Sequence, residues 1–187
     1  MSLILASSSP RRQELLRLIT DDFLIDPPTC DEALPHGIQP EDGVAVLAMR
    51  KASDVFARHP DELVIGADTV VALGRTLLGK PRDRDDAARM LSLLSGCAHR
   101  VYTGVCVLSG EYERTFVSSA RVHFSPMSAQ EIADYTASGE CEDKAGAYAI
   151  QGRGARFIDR IDGDYYAVMG LPVCRLYQLL RDLAWKL

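Results

Sequence analysis

The sequence predicts an α/β fold: a mixed, elongated β-sheet with flanking helices, forming two lobes around a central cleft. Three observations lead there. Short apolar runs alternate with segments of helical period. Two long strand-like stretches meet at the turn Ser109-Gly110-Glu111, and a second turn, Asp162-Gly163-Asp164, separates two further apolar stretches. A purely parallel doubly wound sheet has no long hairpins, so strands of both directions are expected. At 187 residues the chain can bury a substantial core. It is most simply one domain over 1–187, or two small lobes sharing a sheet.

The elements follow in order. Leu3 to Ala6 is a buried first strand, and Arg11 to Ile19 a helix with Leu15, Leu16 and Ile19 on its apolar side. Ser9 stands at the cap of that helix and Pro10 at its first position. Phe23 to Asp26 is a second strand, leading into an irregular segment rich in proline and acid. Pro40 opens a long helix to about Arg58 whose buried stripe is Val44, Leu47, Ala48 and Val55. Leu63 to Ala67 and Val70 to Leu73 read as strands interrupted at Asp68-Thr69.

Asp83 starts a helix that Ser95-Gly96 stops. The first hairpin pairs His99–Leu108 with Tyr112–Phe124, and Ser128 to Glu131 fits a capping box opening a short helix to about Ser138. Phe157 to Ile161 and Tyr165 to Val168 form the second hairpin, and Pro172 begins a terminal helix to about Trp185.

Composition narrows the function classes. A net charge of -5 supplies no basic field for a nucleic acid, so any phosphate site must be built locally. Five scattered cysteines without a C-x-x-C spacing argue against a disulfide framework or a zinc site. No signal-like or membrane-length apolar run is present, and with reduced thiols this predicts a cytoplasmic protein with no membrane partner.

The local chemistry begins at Ser7-Ser8-Ser9-Pro10-Arg11-Arg12, where a strand ends in hydroxyls and two guanidinium groups open a helix. The positive end of a helix dipole disfavours cations, so two arginines there ask for an anion such as a phosphate chain. A turn whose arginines point into water is the alternative. Asp68, in Gly66-Ala67-Asp68-Thr69, follows a buried run at the end of a strand, where small neighbours let a ligand or backbone come close. Taken alone, the tetrapeptide reads rather as a turn aspartate bonded to its own backbone. Asp31 and Glu32 lie in the acidic segment; facing Asp68 they would make a hard oxygen site for Mg²⁺ or Mn²⁺.

Lys51 falls near the apolar side of its helix, where snorkelling is the ordinary explanation, and Lys80 sits in the turn Gly79-Lys80-Pro81. The small-residue stretch from Asp143 to Gly154 reads as too open to pack a core and suits the thin wall of a nucleotide pocket. Within it, Gln151 offers both a donor and an acceptor to a base edge. Gly152-x-Gly154 lacks the rest of a dinucleotide fingerprint, and the four histidines form no metal-spaced pair.

Taken together, SSSPRR, Asp31-Glu32, Lys51, GADT at 66–69, GKP at 79–81, DKAGAYAIQG at 143–152 and IDGDYYAVMGLP at 161–172 resemble the Maf family of nucleoside triphosphate pyrophosphatases. The resemblance implies the two-lobed, Maf/ITPase-like mixed-sheet fold, a cytoplasmic house-cleaning enzyme, a homodimer and a divalent metal. It implies Asp68 as proton acceptor, with Glu32 and Asp68 at the metal. Ser7, Arg11, Arg12, Lys51 and Lys80 would line the phosphates. Arg12, Thr69 and Gln151 match the positions that separate subfamilies, and their pattern resembles the dTTP/UTP branch. A 7-methyl-GTP branch carries a bulky aromatic, Gln and Glu instead, and Cys30 departs from the aliphatic residue common before the acidic pair.

The expected reaction is metal-assisted attack of water at the α-phosphorus of dTTP, UTP or modified pyrimidine nucleotides, releasing pyrophosphate. A 7-methyl-GTP-type pyrophosphatase and a non-catalytic nucleotide sensor are the alternatives. An RNA-binding role lacks interleaved aromatics as well as basic charge.

Overall fold

The computed structural model describes residues 1–183 and 185. Its strands are β1 (Leu3–Ala6), β2 (Leu24–Ile25), β3 (Leu63–Leu73), β4 (Thr76–Leu78), β5 (Ala98–Leu108), β6 (Glu113–Phe124) and β7 (Ile158–Gly163). The helices are α1 (Pro10–Arg17), α2 (Pro40–Phe56), α3 (Arg84–Leu94), α4 (Ala129–Ala137), α5 (Tyr165–Met169) and α6 (Val173–Asp182). Strand order is β2-β1-β3-β5-β6-β7, with β4 paired to β3. The sheet is mixed: β1 runs parallel to β2 and β3, whereas β3 with β4 and β6 with β7 are antiparallel. No helix among the described residues is long and apolar enough to cross a membrane.

The chain divides into two compact units. The first comprises Met1–Asp68, Thr103–Ser118 and Gly170–Leu187. Its core joins Ile4 and Ala6 of β1, Val64 of β3 and Cys106 of β5 to Ala48, Ala52 and Val55 of α2. Two glycines bring α2 onto the strands. A Cβ on Gly66 would lie 2.3 Å from the Ala48 carbonyl oxygen and 2.6 Å from the Ala52 nitrogen, and one on Gly104 would lie 2.3 Å from the Val44 carbonyl oxygen. The small residue at 66 therefore admits a helix backbone, not a ligand.

The second unit comprises Thr69–Tyr102 and Ser119–Met169. Here α3 packs on α4, each started by a side-chain cap: Asp83 accepts from the Asp86 amide, and Ser128 with Glu131 closes the expected capping box. Ala147, Tyr148 and Ile150 belong to this unit's core, so the stretch from 143 to 154 is not the open wall the sequence suggested. Small residues there let the backbone pack tightly: a Cβ on Gly146 would lie 2.9 Å from the Val71 side chain.

Other expectations are corrected as well. Asp68 and Thr69 do not interrupt a strand but lie inside β3, because the flanking apolar residues keep the extended backbone going through the polar pair. The second hairpin does not form: β7 pairs with β6, while Tyr165–Met169 turns into helix after Asp164 accepts from the Tyr166 amide. Strand β2 keeps two residues, and β4 carries no alternating pattern long enough to be seen in the sequence. α6 ends at Asp182, short of Trp185; Ala184 lies outside the described residues.

One feature of the second unit's core sets an acid limit on stability. His99 is buried in an edge-to-face cluster with Phe124 and Tyr148, its Nε2 is 2.9 Å from the Tyr148 hydroxyl, and its Nδ1 has no hydrogen-bond partner among the described residues. Burial, with a smaller contribution from His123, lowers its pKa from 6.5 to about 4. Between those values the unfolded chain takes a proton that the folded one refuses. Stability is therefore complete above pH 6.5 and lost as pH falls through 4, by about 3 kcal/mol in all. A thermal midpoint measured from pH 7 to 4.5 should fall steadily, and His99→Phe should flatten that slope. A midpoint of the wild type that stays level over this range would contradict the neutral, buried imidazole.

Candidate active site

β1 delivers the chain into Ser7, which is buried and aims its hydroxyl back at the following turn. Ser7 Oγ accepts from the Ser9 amide at 3.2 Å and lies 3.5 Å from Arg12 Nη1. Ser9 occupies the cap position with Pro10 behind it, but its side chain makes no capping bond. The first turn of α1 contains no acidic residue and places Arg11 and Arg12 at the positive end of the helix.

Arg12 is fixed from outside the helix, since its Nε donates to the Gly170 carbonyl at 3.0 Å. Burial lowers its pKa from the ordinary arginine value, Asp68 and Glu32 oppose that shift, and neighbouring Arg11 adds to it. The two carboxylates and the two guanidinium groups thus share one electrostatic neighbourhood.

Lys51 joins the carboxylates. Its ammonium lies 2.7 Å from Asp68 Oδ1 and 3.0 Å from Glu32 Oε1, and the side chain is only 8% exposed. It does not snorkel. The approach of α2 to Gly66 explains the placement: Lys51 lies between Ala48 and Ala52, the residues touching Gly66, and Asp68 follows Gly66 by two positions on the strand, so both side chains leave on the same side.

Glu32 reaches the ammonium because the segment around it is tied to α2 and to Arg58 just beyond that helix. The Thr29 amide donates to Asp54 Oδ2 at 2.8 Å, Arg58 bonds Asp26, Asp54 and the Pro27 carbonyl, and Arg50 Nη1 donates to the Ala33 carbonyl at 2.6 Å. Hydrogen bonds from Arg58, and from His59 with a smaller effect, hold Asp26 below the usual carboxylate range. Arg50, Asp54 and Arg58 were not singled out in the sequence; only the i,i+4 spacing of Asp54 and Arg58 was visible there.

The structure thus brings together Ser7, Arg12, Glu32, Lys51 and Asp68 within the first unit. Thr69, Lys80 and Gln151 belong to the second, where Thr69 continues β3 and Lys80 and Gln151 are exposed on turns.

The donor set can be tested against a divalent cation. Two carboxylates already converge on one cationic centre, the Lys51 ammonium, and no group of three or more potential protein ligands forms among the described residues. The carboxylate pair is of the kind that suits a hard divalent cation, which binds through one or two carboxylates and takes its other ligands from water and phosphate oxygens.

The family model described as Maf-like protein matches residues 2–183. A dTTP/UTP pyrophosphatase of Geobacillus sp. (strain WCH70) is 48% identical over 183 residues, covering 98% of each chain. One from Symbiobacterium thermophilum is 47% identical, covering 99% of this chain and 95% of its own. The solved structure of the Staphylococcus aureus Ham1 protein superposes with a TM-score of 0.51 at 10% identity, covering 98% of this chain and 100% of that one, which shows a common fold. The near-complete family match, and relatives of almost half identical sequence end to end, place this chain in the Maf-like protein family.

Proposed function

We propose that the chain hydrolyses dTTP and UTP to the monophosphate and pyrophosphate, using the Lys51-centred carboxylate pair beside the Arg12 turn. The observation that carries this reading is the double ion pair of Lys51 with Glu32 and Asp68. It is supported by the dTTP/UTP pyrophosphatase activity named for the relatives.

Asp68 accepts the proton of the attacking water. Lys51 engages Oδ1, and the other carboxylate oxygen takes that proton. Attack on the α-phosphorus breaks the bond to the β-phosphate, and charge moves onto the departing pyrophosphate. Arg11 and Arg12, with Lys51 and Lys80, stabilise that charge. Ser7 donates to a phosphate oxygen. Glu32 and Asp68 would hold a divalent cation, which neutralises phosphate charge and polarises the phosphorus–oxygen bonds. Arg12, Thr69 and Gln151 set the choice of nucleotide. Gln151 donates and accepts at the O4/N3 edge of uracil or thymine, and an amide held in that orientation opposes the swapped pattern of cytosine. Thymine and uracil present the same edge, so discrimination between dTTP and UTP is weak. The enzyme acts as a cytoplasmic homodimer.

A substrate panel tests the reading. Pyrophosphate release from dTTP, UTP, CTP, GTP and 7-methyl-GTP is followed with Mg²⁺, with Mn²⁺ and with chelator. Turnover is expected for dTTP and UTP, at least about 10²-fold above the others in kcat/KM, and it should vanish with chelator. Preference for either guanine nucleotide, or turnover untouched by chelation, would refute it.

A further inference from the structure

Gln151, the side chain proposed to pair with the base edge, sits on an exposed turn closed locally by the Gly152 amide donating to the Ala149 carbonyl at 3.2 Å. Glu140 anchors that turn from outside it. This residue follows α4 by a short turn and sends its carboxylate under the segment Ala149–Gly154. Glu140 Oε1 accepts from the Arg153 amide at 3.0 Å, and Oε2 accepts from the Gly154 amide at 3.2 Å and from the Tyr135 hydroxyl at 2.8 Å. The buried Tyr135 hydroxyl in turn accepts from the Ala149 amide at 3.0 Å. Both flanks of Gln151 are thus tied to one carboxylate, directly on one side and through a phenol on the other.

Gly152 belongs to the same device. A Cβ there would lie 2.2 Å from Glu140 Oε1 and 2.6 Å from the carboxyl carbon, so the carboxylate occupies the space that any other residue at 152 would need. The glycine at 152 is accounted for by an internal anion, where the sequence suggested a thin pocket wall. Burial raises the Glu140 pKa, but the two amides, the phenol and Lys144 outweigh it and hold the carboxyl below its ordinary value.

We infer that Glu140 is a positioning residue for nucleotide selection, acting through the Ala149–Gly154 backbone to fix Gln151. The inference rests on the assignment of Gln151 as base reader. An isosteric amide tests it well, because Gln can accept from only one of the two backbone donors and would turn its own NH₂ toward the other.

Four proteins are compared: wild type, Glu140→Gln, Gln151→Ala and the double variant, each with UTP, dTTP and CTP. Glu140→Gln should raise KM for UTP and dTTP about 10- to 100-fold with kcat within about 3-fold, and should lower the preference for UTP over CTP by a similar factor. Gln151→Ala should do the same, and the double variant should add little, since both changes remove one interaction. Hydrogen exchange at the Arg153 and Gly154 amides should accelerate in Glu140→Gln and stay at the wild-type rate in Gln151→Ala.

Two results overturn the inference and can be told apart. If Gln151→Ala loses selectivity while Glu140→Gln keeps it, Glu140 does not position the reader although Gln151 remains one. If Gln151→Ala itself keeps selectivity, the base-reading assignment fails and this inference fails with it. Should Glu140→Gln not fold, Tyr135→Phe removes only the hydroxyl link to Ala149 and is read by the same KM, kcat and selectivity measurements.

Discussion

Asp68→Asn should lower kcat for dTTP and UTP by about 10²- to 10⁴-fold, or about 3 to 5 kcal/mol of barrier, while leaving the protein folded. The substitution is a narrow one. An Asn oxygen can still accept from the Lys51 ammonium that now lies 2.7 Å from Oδ1, and Glu32 stays beside the same ammonium at 3.0 Å. Shape and one hydrogen bond survive; the basic oxygen does not. Losing one charged partner of a mostly buried lysine should cost about 1 kcal/mol of stability, a fall of about 2–4 °C in thermal midpoint for a chain of this size. Steady-state kinetics beside a thermal melt therefore separate the two effects. Near wild-type turnover in the folded variant would remove Asp68 from the role of proton acceptor and return it to that of a partner for Lys51.

The elements legible in the sequence were those fixed by neighbours along the chain. β1 is an unbroken apolar run, α3 begins at an aspartate that caps it, and the Ser128 to Glu131 box starts α4 where expected. The site residues could be named because serine, arginine, lysine and acid are chemically conspicuous. Their mutual arrangement was hidden, because it depends on contacts between distant segments. Lys51 read as a snorkelling surface residue because nothing in its helix reveals that Asp68 and Glu32 lie over it.

Short apolar runs misled for a different reason. Tyr165 to Val168 suits a strand or one turn of helix equally by pattern, and the bond from the Tyr166 amide to Asp164 decides for helix. The polar pair at 68–69 looked like a break, yet an extended strand tolerates polar side chains wherever they find partners, and Asp68 has Lys51. Glu140 escaped notice altogether. Its partners are backbone amides and a tyrosine, none of which marks the sequence as a charged partner would.

The glycine under α2 connects fold to catalysis, and Gly66→Ala should damage both. The added methyl would meet the Ala48 carbonyl at 2.3 Å, the Ala52 nitrogen at 2.6 Å and the Ala52 Cβ at 3.0 Å. Two of these are backbone atoms of a helix, which cannot rotate away as a side chain tip would. α2 must lift from β3 as a body, giving up part of the packing of Ala48, Ala52 and Val55 on the strands. Overpacking of this kind costs about 3 kcal/mol, a fall of about 6–12 °C in thermal midpoint. Because Lys51 rides on α2 and Asp68 on β3, the same displacement separates their charges, so kcat should fall well below wild type even at temperatures where the variant is folded. Gly79→Ala is the control, since nothing lies within 4 Å of its added carbon, and its midpoint should stay within about 2 °C of wild type. If Gly66→Ala melts with the control and turns over like wild type, the helix does not rest on that glycine, and the placement of Lys51 over Asp68 needs another cause.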